Sequence, residues 1–364
     1  MDRISVEPPL PSRDIDEILA ATRELWVELR GQRLLITGGT GFFGRWMLES
    51  LLGANATLGA EIHATVLSRD PARFLARMPH LAKVSHLQWV QGAVETMTAD
   101  LLPQPRFDAV VHLASESDNA ATIRAPLAAR EVIVTGTARA LETARQTGAC
   151  RFLFASSGSV YGPPPADLRL IPETFPGVPD PGDLTNPYAI SGEAKRQAEL
   201  LCVASAREHR LGVTIARGFT FAGPGLALEG KFAFGNFLKN ALDRKPVIVM
   251  GDGTPIRSYL HTVDLTIWLW TMLLRGVPGR VYNLGSEAAV SLGDLANLIA
   301  RELGAPGVEV RQLPIPGQRP HRYVPSTVRA REELRLRETV GLAEAIRRTA
   351  AWHRTAVNID VRGR

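Results

Sequence analysis

Short apolar runs alternate with amphipathic stretches along most of this chain. Leu34-Leu35-Ile36 is one such run. It stops at Gly38-Gly39-Thr40-Gly41-Phe42-Phe43-Gly44, and Trp46, Met47, Leu48, Leu51 and Leu52 follow at helical spacing. This pattern predicts a buried strand, a tight turn and the start of a helix. Further strands are expected over 61–67, 87–90, 108–114, 151–155 and 213–217, with helices over about 128–147 and from Pro187 or Tyr188 to about His209. Strands alternating with helices at these intervals predict an α/β protein with a mostly parallel, doubly wound sheet.

Ahead of the first strand, residues 1–13 are proline-rich. From Asp14 a helix is expected, with Ile15, Ile18, Leu19, Thr22, Leu25, Trp26 and Leu29 on one face and Asp14 and Glu17 as a capping box. That face is expected to pack on the domain that follows. Residues 163–187 are rich in Pro, Gly and Asp and read as a long, functional loop. Beyond Gly223-Pro224 the elements shorten. The expected organisation is an N-terminal extension (1–32), a Rossmann-type dinucleotide domain (33–223), and a smaller C-terminal substrate-binding lobe (224–364) with segments returning to the sheet.

Composition narrows the class. The chain has 364 residues, 45% hydrophobic and 22% charged, enough for a large core. Its net charge of +5 suits an anionic small ligand, and no basic block is dense enough to suggest nucleic acid. Cys150 and Cys202 show no metal-ligand spacing and are expected as reduced core thiols of a cytoplasmic protein. The N-terminus lacks the apolar stretch of a signal peptide, and no apolar run approaches the about eighteen residues of a membrane span.

The glycine turn supplies the first candidate chemistry. Gly38 permits the turn, Gly41 lets backbone amides approach a pyrophosphate, and Gly44 allows close packing of helix on strand. The free amides of the helix N-terminus then face the anion. The 61–67 strand ends in Ser68-Arg69-Asp70. Serine and arginine there can hold a 2′-phosphate, while Asp70 comes one position late to accept from an adenosine ribose, a slight lean to NADP over NAD. Ser156-Ser157-Gly158-Ser159-Val160-Tyr161-Gly162 puts hydroxyls at the C-terminal end of a parallel strand, where ligands bind. Downstream, Tyr188 and Lys195 share a helix. An ammonium near a phenol favours the phenolate and so makes an acid/base unit.

LLITGGTGFFG, VVHLAS, SSGSVYG, NPYAIS with Lys195, RGFTFAGP, GDGTPIRSYLHTVD and VYNLGS occur in this order over about residues 33–355. Together they resemble the extended short-chain dehydrogenase/reductases, in the nucleotide-sugar epimerase/dehydratase branch. The resemblance implies NAD or NADP held by Gly38, Thr40, Gly41, Phe42, Phe43, Gly44, Ser68, Arg69, Leu113, Ala114, Ser115 and Lys195. It implies that Ser157 binds the sugar hydroxyl being oxidised and Tyr188 is its base. Lys195 holds the nicotinamide ribose, and hydride passes between sugar C4 and the nicotinamide. It further implies substrate contacts from Ser157, Ser159, Ser191 and Thr220, a diphosphate clamp of Arg257 and Arg319, and a homodimer through the Tyr–Lys helix. No metal is implied.

The chain departs from that pattern in places. The family's tyrosine and lysine are four residues apart, whereas Tyr188 and Lys195 are seven apart. On a regular helix Ser191 takes the tyrosine's place; a bulge absorbing three residues keeps Tyr188 in play, and Tyr188 is the favoured base. Dehydratases of the family carry Asp-Glu after the catalytic hydroxyl, and decarboxylases keep the Glu. Here those positions are Gly158 and Ser159, which counts against both reactions. Ala93, Ile133 and Thr220 replace an Asp and two Asn of the family. A nucleoside-diphosphate-sugar 4-epimerase is the expected activity. The alternatives are an NADPH-dependent keto-sugar reductase, a dehydratase, and a catalytically silent dinucleotide-binding protein.

Overall fold

The computed structural model describes residues 6–362 apart from Ser117, Asp118, Val178, Pro179, Pro181, Asp183, Leu184 and Lys231. The order through the first part is α1 (Ser12–Ala21), α2 (Arg23–Glu28), β1 (Arg33–Thr37), α3 (Phe42–Leu58), β2 (His63–Ser68), α4 (Pro71–Arg77), β3 (Leu87–Gln91), β4 (Ala109–His112), α5 (Asn119–Arg124), α6 (Pro126–Gln146), β5 (Arg151–Ser157), α7 (Pro187–His209) and β6 (Gly212–Gly218). There follow β7 (Phe221–Ala222), α8 (Ala233–Leu242), β8 (Val247–Val249), β9 (Ile256–Arg257), β10 (Leu260–His261), α9 (Thr262–Arg275), β11 (Arg280–Leu284), β12 (Val290–Ser291), α10 (Leu292–Leu303), β13 (Val308–Val310), α11 (Val328–Leu334) and α12 (Leu342–Arg362).

Seven strands form one sheet in the order β11-β6-β5-β4-β1-β2-β3. The pairings β1–β2, β1–β4, β2–β3, β4–β5 and β5–β6 are all parallel. Strands β1, β4 and β5 are apolar on both faces, as a sheet covered by helices on each side requires. The chain falls into two compact units. The first comprises 1–162, 176–218 and 266–282, and the second 163–175, 219–265 and 283–364. Strand β11, late in the chain, joins the sheet beside β6.

The N-terminal extension is built into the first unit. Ile18, Leu25, Trp26 and Leu29 are buried, and Trp26 meets Trp270 edge-on at 4.9 Å. The helix starts at Ser12, two residues earlier than its polar pattern suggests. Asp14 therefore sits inside the first turn and is buried, Glu17 pairs with Arg13, and no side chain caps the helix. The expected capping box is absent for that reason. The cysteines divide: Cys202 is buried but Cys150 is exposed, so only one is a core thiol. No described helix is long and apolar enough to cross a membrane.

Between the 3₁₀ turn Gly158–Tyr161 and α7 there is no helix or strand among the described residues, as the Pro/Gly/Asp composition predicts. Among the described residues, the second unit contains three two-stranded sheets, β10-β7, β12-β9 and β13-β8. Asp264 there accepts the Thr339 and Val340 amides at 3.0–3.1 Å, and buried His261 accepts the Val263 amide at 3.2 Å. These two residues of the 251–264 motif thus make structural bonds within the unit.

Candidate active site

The glycines after β1 occupy a space that side chains would fill. A Cβ on Gly38 (φ +72°) would lie 2.5 Å from the Ala114 amide nitrogen. One on Gly44 would lie 2.4 Å from the Gly38 carbonyl, and one on Gly39 would lie 2.6 Å from Val66 Cγ1. Gly38 therefore serves a left-handed turn and a close approach to the neighbouring loop at once. Gly39 is a constraint that the three-glycine pattern overlooks. Gly41 precedes α3 with extended backbone, and no side chain caps that helix. Its first-turn amides are oriented for an anion.

Strand order gathers the other expected cofactor residues at the same edge of the sheet. Thr40, Phe42 and Phe43 lie on the glycine turn itself. Leu113, Ala114 and Ser115 follow β4, next to β1, and Ser68 and Arg69 end β2 on its other side. Asp70 is engaged elsewhere, since its carboxylate caps α4 by accepting the Arg73 amide at 2.9 Å. Arg69 is largely exposed and lies 3.9 Å from Glu116. A cavity of about 300 Å³ opens there, lined by Arg69, Glu95, Glu116 and alanines of α5 and α6. A glycine cradle, an uncapped helix start and an adjoining cavity fit the two phosphates and the adenosine half of a dinucleotide.

A buried histidine braces this edge. His112 Nδ1 is 2.6 Å from Thr37 Oγ1, and its Nε2 is 3.0 Å from Thr137 Oγ1. The Thr137 hydroxyl donates to the Ile133 carbonyl at 2.6 Å. Thr137 must therefore accept from Nε2–H, and Thr37 must donate to Nδ1. Burial, with a smaller effect of Lys195, lowers the His112 pKa to about 3, so the ring is neutral at pH 7. The sequence signals this only as the histidine in VVHLAS.

At the end of β5, Ser157 accepts the Ser159 amide at 3.1 Å. Ser159 is buried, and its hydroxyl has no hydrogen-bond partner among the described residues. Lys195 is 4% exposed. Its Nζ donates to the Ala155 carbonyl at 2.7 Å and lies 4.6 Å from the Phe154 ring. Burial lowers the lysine's pKa to about 8, against the upward pull of Cys202 and Glu199. Ser157 and Lys195 are thus brought to the strand end two positions along from the glycine turn, across β4.

Tyr188 is not brought so close along its helix. α7 is helical without interruption from Pro187 to His209, so the bulge that would take up three residues is absent. Tyr188 is 49% exposed, in the first turn beside the capping Asn186. Seven residues of helix separate it axially from Lys195 by about 10.5 Å. Ser191, one turn before Lys195, donates to the Tyr188 carbonyl at 3.4 Å.

Thr220, Arg257 and Arg319 belong to the second unit. Thr220 donates to the Ser258 carbonyl. Arg257 Nη1 donates to the carbonyls of Ile256 at 2.9 Å and His321 at 3.3 Å, and lies 3.2 Å from His321 Nδ1. The pairing of Ile256 with Arg322 brings the 319–323 segment to Arg257. Arg319 itself is exposed.

A family model described as the NAD dependent epimerase/dehydratase family matches residues 34–285, more than half of the chain. The chain belongs to that family. It is an NAD-dependent enzyme of the extended short-chain dehydrogenase/reductase type, as its motifs indicate. Among relatives of this epimerase/dehydratase, a dTDP-glucose 4,6-dehydratase of Streptomyces niveus is 29% identical over 327 residues, covering 88% of this chain and 93% of its own length. UDP-glucuronic acid decarboxylase 2 of Arabidopsis thaliana is 26% identical over 88% of this chain and 68% of its own length. Among solved structures, the dTDP-glucose 4,6-dehydratase DesIV of Streptomyces venezuelae, with NAD and TYD bound, has a TM-score of 0.73 at 27% identity, covering 89% of this chain and 97% of its own. The UDP-glucose 4-epimerase of Thermotoga maritima, with UDP-glucose, has a TM-score of 0.76 at 23% identity, covering 89% and 99% of the two chains, and shares the fold.

Proposed function

We propose that this family member is a nucleoside-diphosphate-sugar 4-epimerase working through a transient 4-keto sugar. The observation that carries the reading is the bond of buried Lys195 to the Ala155 carbonyl, two residues before Ser157, on the strand that lies two places from the glycine cradle in the sheet. NAD, when bound there, supplies a reversible hydride acceptor. The glycine turn and the α3 amides hold its phosphates, and Lys195 holds the nicotinamide ribose. Ser157 binds the sugar C4 hydroxyl, and a hydroxyl of α7, that of Tyr188 or of Ser191, removes and returns its proton. Arg257 and Arg319 hold the diphosphate, whose oxygens suit arginine's planar fork. Thr220 and Ser191 contact the sugar nucleotide, as does Ser159 through its unpartnered hydroxyl.

The choice of epimerisation rests on Gly158 and Ser159. Proton transfer at C5 or C6 needs an acid/base group beside the hydroxyl that binds O4, and neither residue supplies a carboxylate. Incubation of the NAD-loaded protein with UDP-, dTDP-, GDP- and CDP-hexoses, followed by chromatography and NMR, tests the reading. The expected product is the C4 epimer with no net change in NADH. A 4-keto-6-deoxy product marks a dehydratase instead, and NADPH consumption with a keto-sugar marks a reductase. No turnover of any sugar with NAD still bound marks a silent binding protein. Homodimerisation through α7 is part of the same reading and is checked by light scattering.

The unbroken α7 favours a second assignment of the base. Ser191, not Tyr188, stands four residues before Lys195, where serine needs activation by a neighbour to accept a proton. Retention of full activity by Tyr188→Phe together with its loss in Ser191→Ala transfers the role to Ser191.

A further inference from the structure

Four side chains that have no role in the reading above, Glu199, Ser156, Arg217 and Tyr161, meet close to Lys195, all of them buried or nearly so. Glu199 lies one turn after Lys195 on α7. Its Oε1 accepts from Ser156 Oγ at 2.5 Å and from Arg217 Nε at 2.9 Å, and its Oε2 accepts from Arg217 Nη2 at 2.6 Å. Ser156 and Arg217 are register partners on β5 and β6. The Arg217 guanidinium lies 4.7 Å from the centre of the buried Tyr161 ring, in the 3₁₀ turn that follows Ser157. The side chains of Arg217 and Glu199 are 11% and 8% exposed.

The charges around Lys195 can be counted. On its own helix it faces Cys202 and Glu199, from β4 His112, and from β5 the Phe154 ring and the Ala155 carbonyl. Arg217 adds a cation from β6 through Glu199. Burial pushes the Cys202 thiol up and the His112 imidazole down, so both are uncharged at pH 7. Glu199 thus pairs directly with Arg217 and, one helical turn from Lys195, is the carboxylate whose charge also reaches the ammonium. Without it, neither cation would face a carboxylate among the described residues, in surroundings that screen charge poorly.

We propose that Glu199 is the positioning residue of this site: it keeps Lys195 an ammonium and fixes the β5 end that carries Ser157 in register with α7. Both tasks fall to one side chain because Glu199 follows Lys195 by a single helical turn and binds the residue adjoining Ser157. The carboxylate opposes the downward effect of burial on Lys195, so its removal moves the loss of the ammonium to lower pH. The inference rests on the reading that Lys195 acts as an ammonium toward the dinucleotide.

The test is the pH dependence of NAD binding to the full-length protein, followed by fluorescence, for wild type, Lys195→Met, Glu199→Asp, Glu199→Gln, Arg217→Met and the double variant Glu199→Gln/Arg217→Met. The double variant removes both members of the buried pair, a change that folded proteins often tolerate, and it carries the test if Glu199→Gln does not fold. Wild-type affinity is expected to fall on the alkaline side, and Lys195→Met to lack that fall. The fall should move at least about half a pH unit lower in Glu199→Gln than in wild type, stay near the wild-type position in Glu199→Asp, and lie lower in the double variant than in Arg217→Met, which removes the cation alone. A fall in Glu199→Gln that coincides with wild type or, where that variant does not fold, a fall in the double variant that coincides with Arg217→Met, overturns the proposal while leaving the Lys195 reading intact. Absence of NAD binding by wild type at every pH overturns both.

Discussion

Thr37 donates to a neutral His112 across 2.6 Å, and the two residues are register partners at the ends of β1 and β4. The glycine turn leaves the sheet at the first of them, and the loop that presses on Gly38 leaves at the second. Their bond, continued to Thr137 on α6, fixes both loops with one ring.

This ring makes stability depend on pH. The unfolded chain binds a proton at His112 near pH 6.5, while the folded chain refuses it down to about 3. Between these values the unfolded state holds the extra proton, so stability is lost as pH falls through that window, by up to about 1.4 kcal/mol per unit. His112→Gln should be less stable than wild type at about pH 7 yet lose less on acidification to about pH 5. Urea titrations at the two pH values check this, and equal losses in both proteins would contradict it.

Gly44 and Gly59 stand at opposite ends of α3 and should respond differently to alanine. At Gly44 the methyl meets backbone at 2.4 Å, whereas at Gly59 (φ +58°) nothing lies within 4 Å. Gly44→Ala is expected to weaken NAD binding at least about tenfold, since the turn itself must move. Gly59→Ala should cost only the left-handed strain, roughly 1 kcal/mol, with NAD affinity unchanged. Calorimetric titration and urea melts separate the two effects.

Arg69 offers a test of dinucleotide choice. With Asp70 occupied in capping α4, the exposed Arg69 is the residue after β2 able to meet a 2′-phosphate. Arg69→Ala should weaken NADP about tenfold or more, and NAD much less, because only NADP carries that group. Equal weakening of the two would show that Arg69 makes no 2′-phosphate contact.

Trp26, in the N-terminal extension, is 1% exposed and seated against Trp270. Trp26→Ala should lower stability by about 3–5 kcal/mol, with the NAD affinity of the folded protein unchanged. An affinity that falls alongside stability would mean that the extension also shapes the site.

The sheet was legible because each strand is a short apolar run bounded by turn residues. The runs over 61–67, 87–90, 108–114, 151–155 and 213–217 match β2 to β6 to within a few residues at either end. β11 stayed hidden as a strand. Its Val281-Tyr282-Asn283-Leu284 core is short and separated from the other strands by the whole of the smaller elements, so local pattern does not say which sheet it joins. At the site, the glycines and Ser157 announce themselves by spacing. His112, Glu199 and Arg217 do not, because their roles come from partners 18 to 75 residues away. The helical register of Tyr188 was the reverse case. Its spacing from Lys195 was plain, but whether the helix would bulge is a packing question, and α7 answers it by remaining regular.

The late arrival of β11 bears on how the protein is made. Until residues 280–284 have left the ribosome, β6 forms the margin of the growing sheet and offers a row of unsatisfied amides and carbonyls. A nascent chain paused in the preceding segment is thus primed for pairing with its neighbours on the same polysome. A truncated gene ending at residue 223, however natural a domain it looks, should yield inclusion bodies rather than a usable dinucleotide-binding fragment.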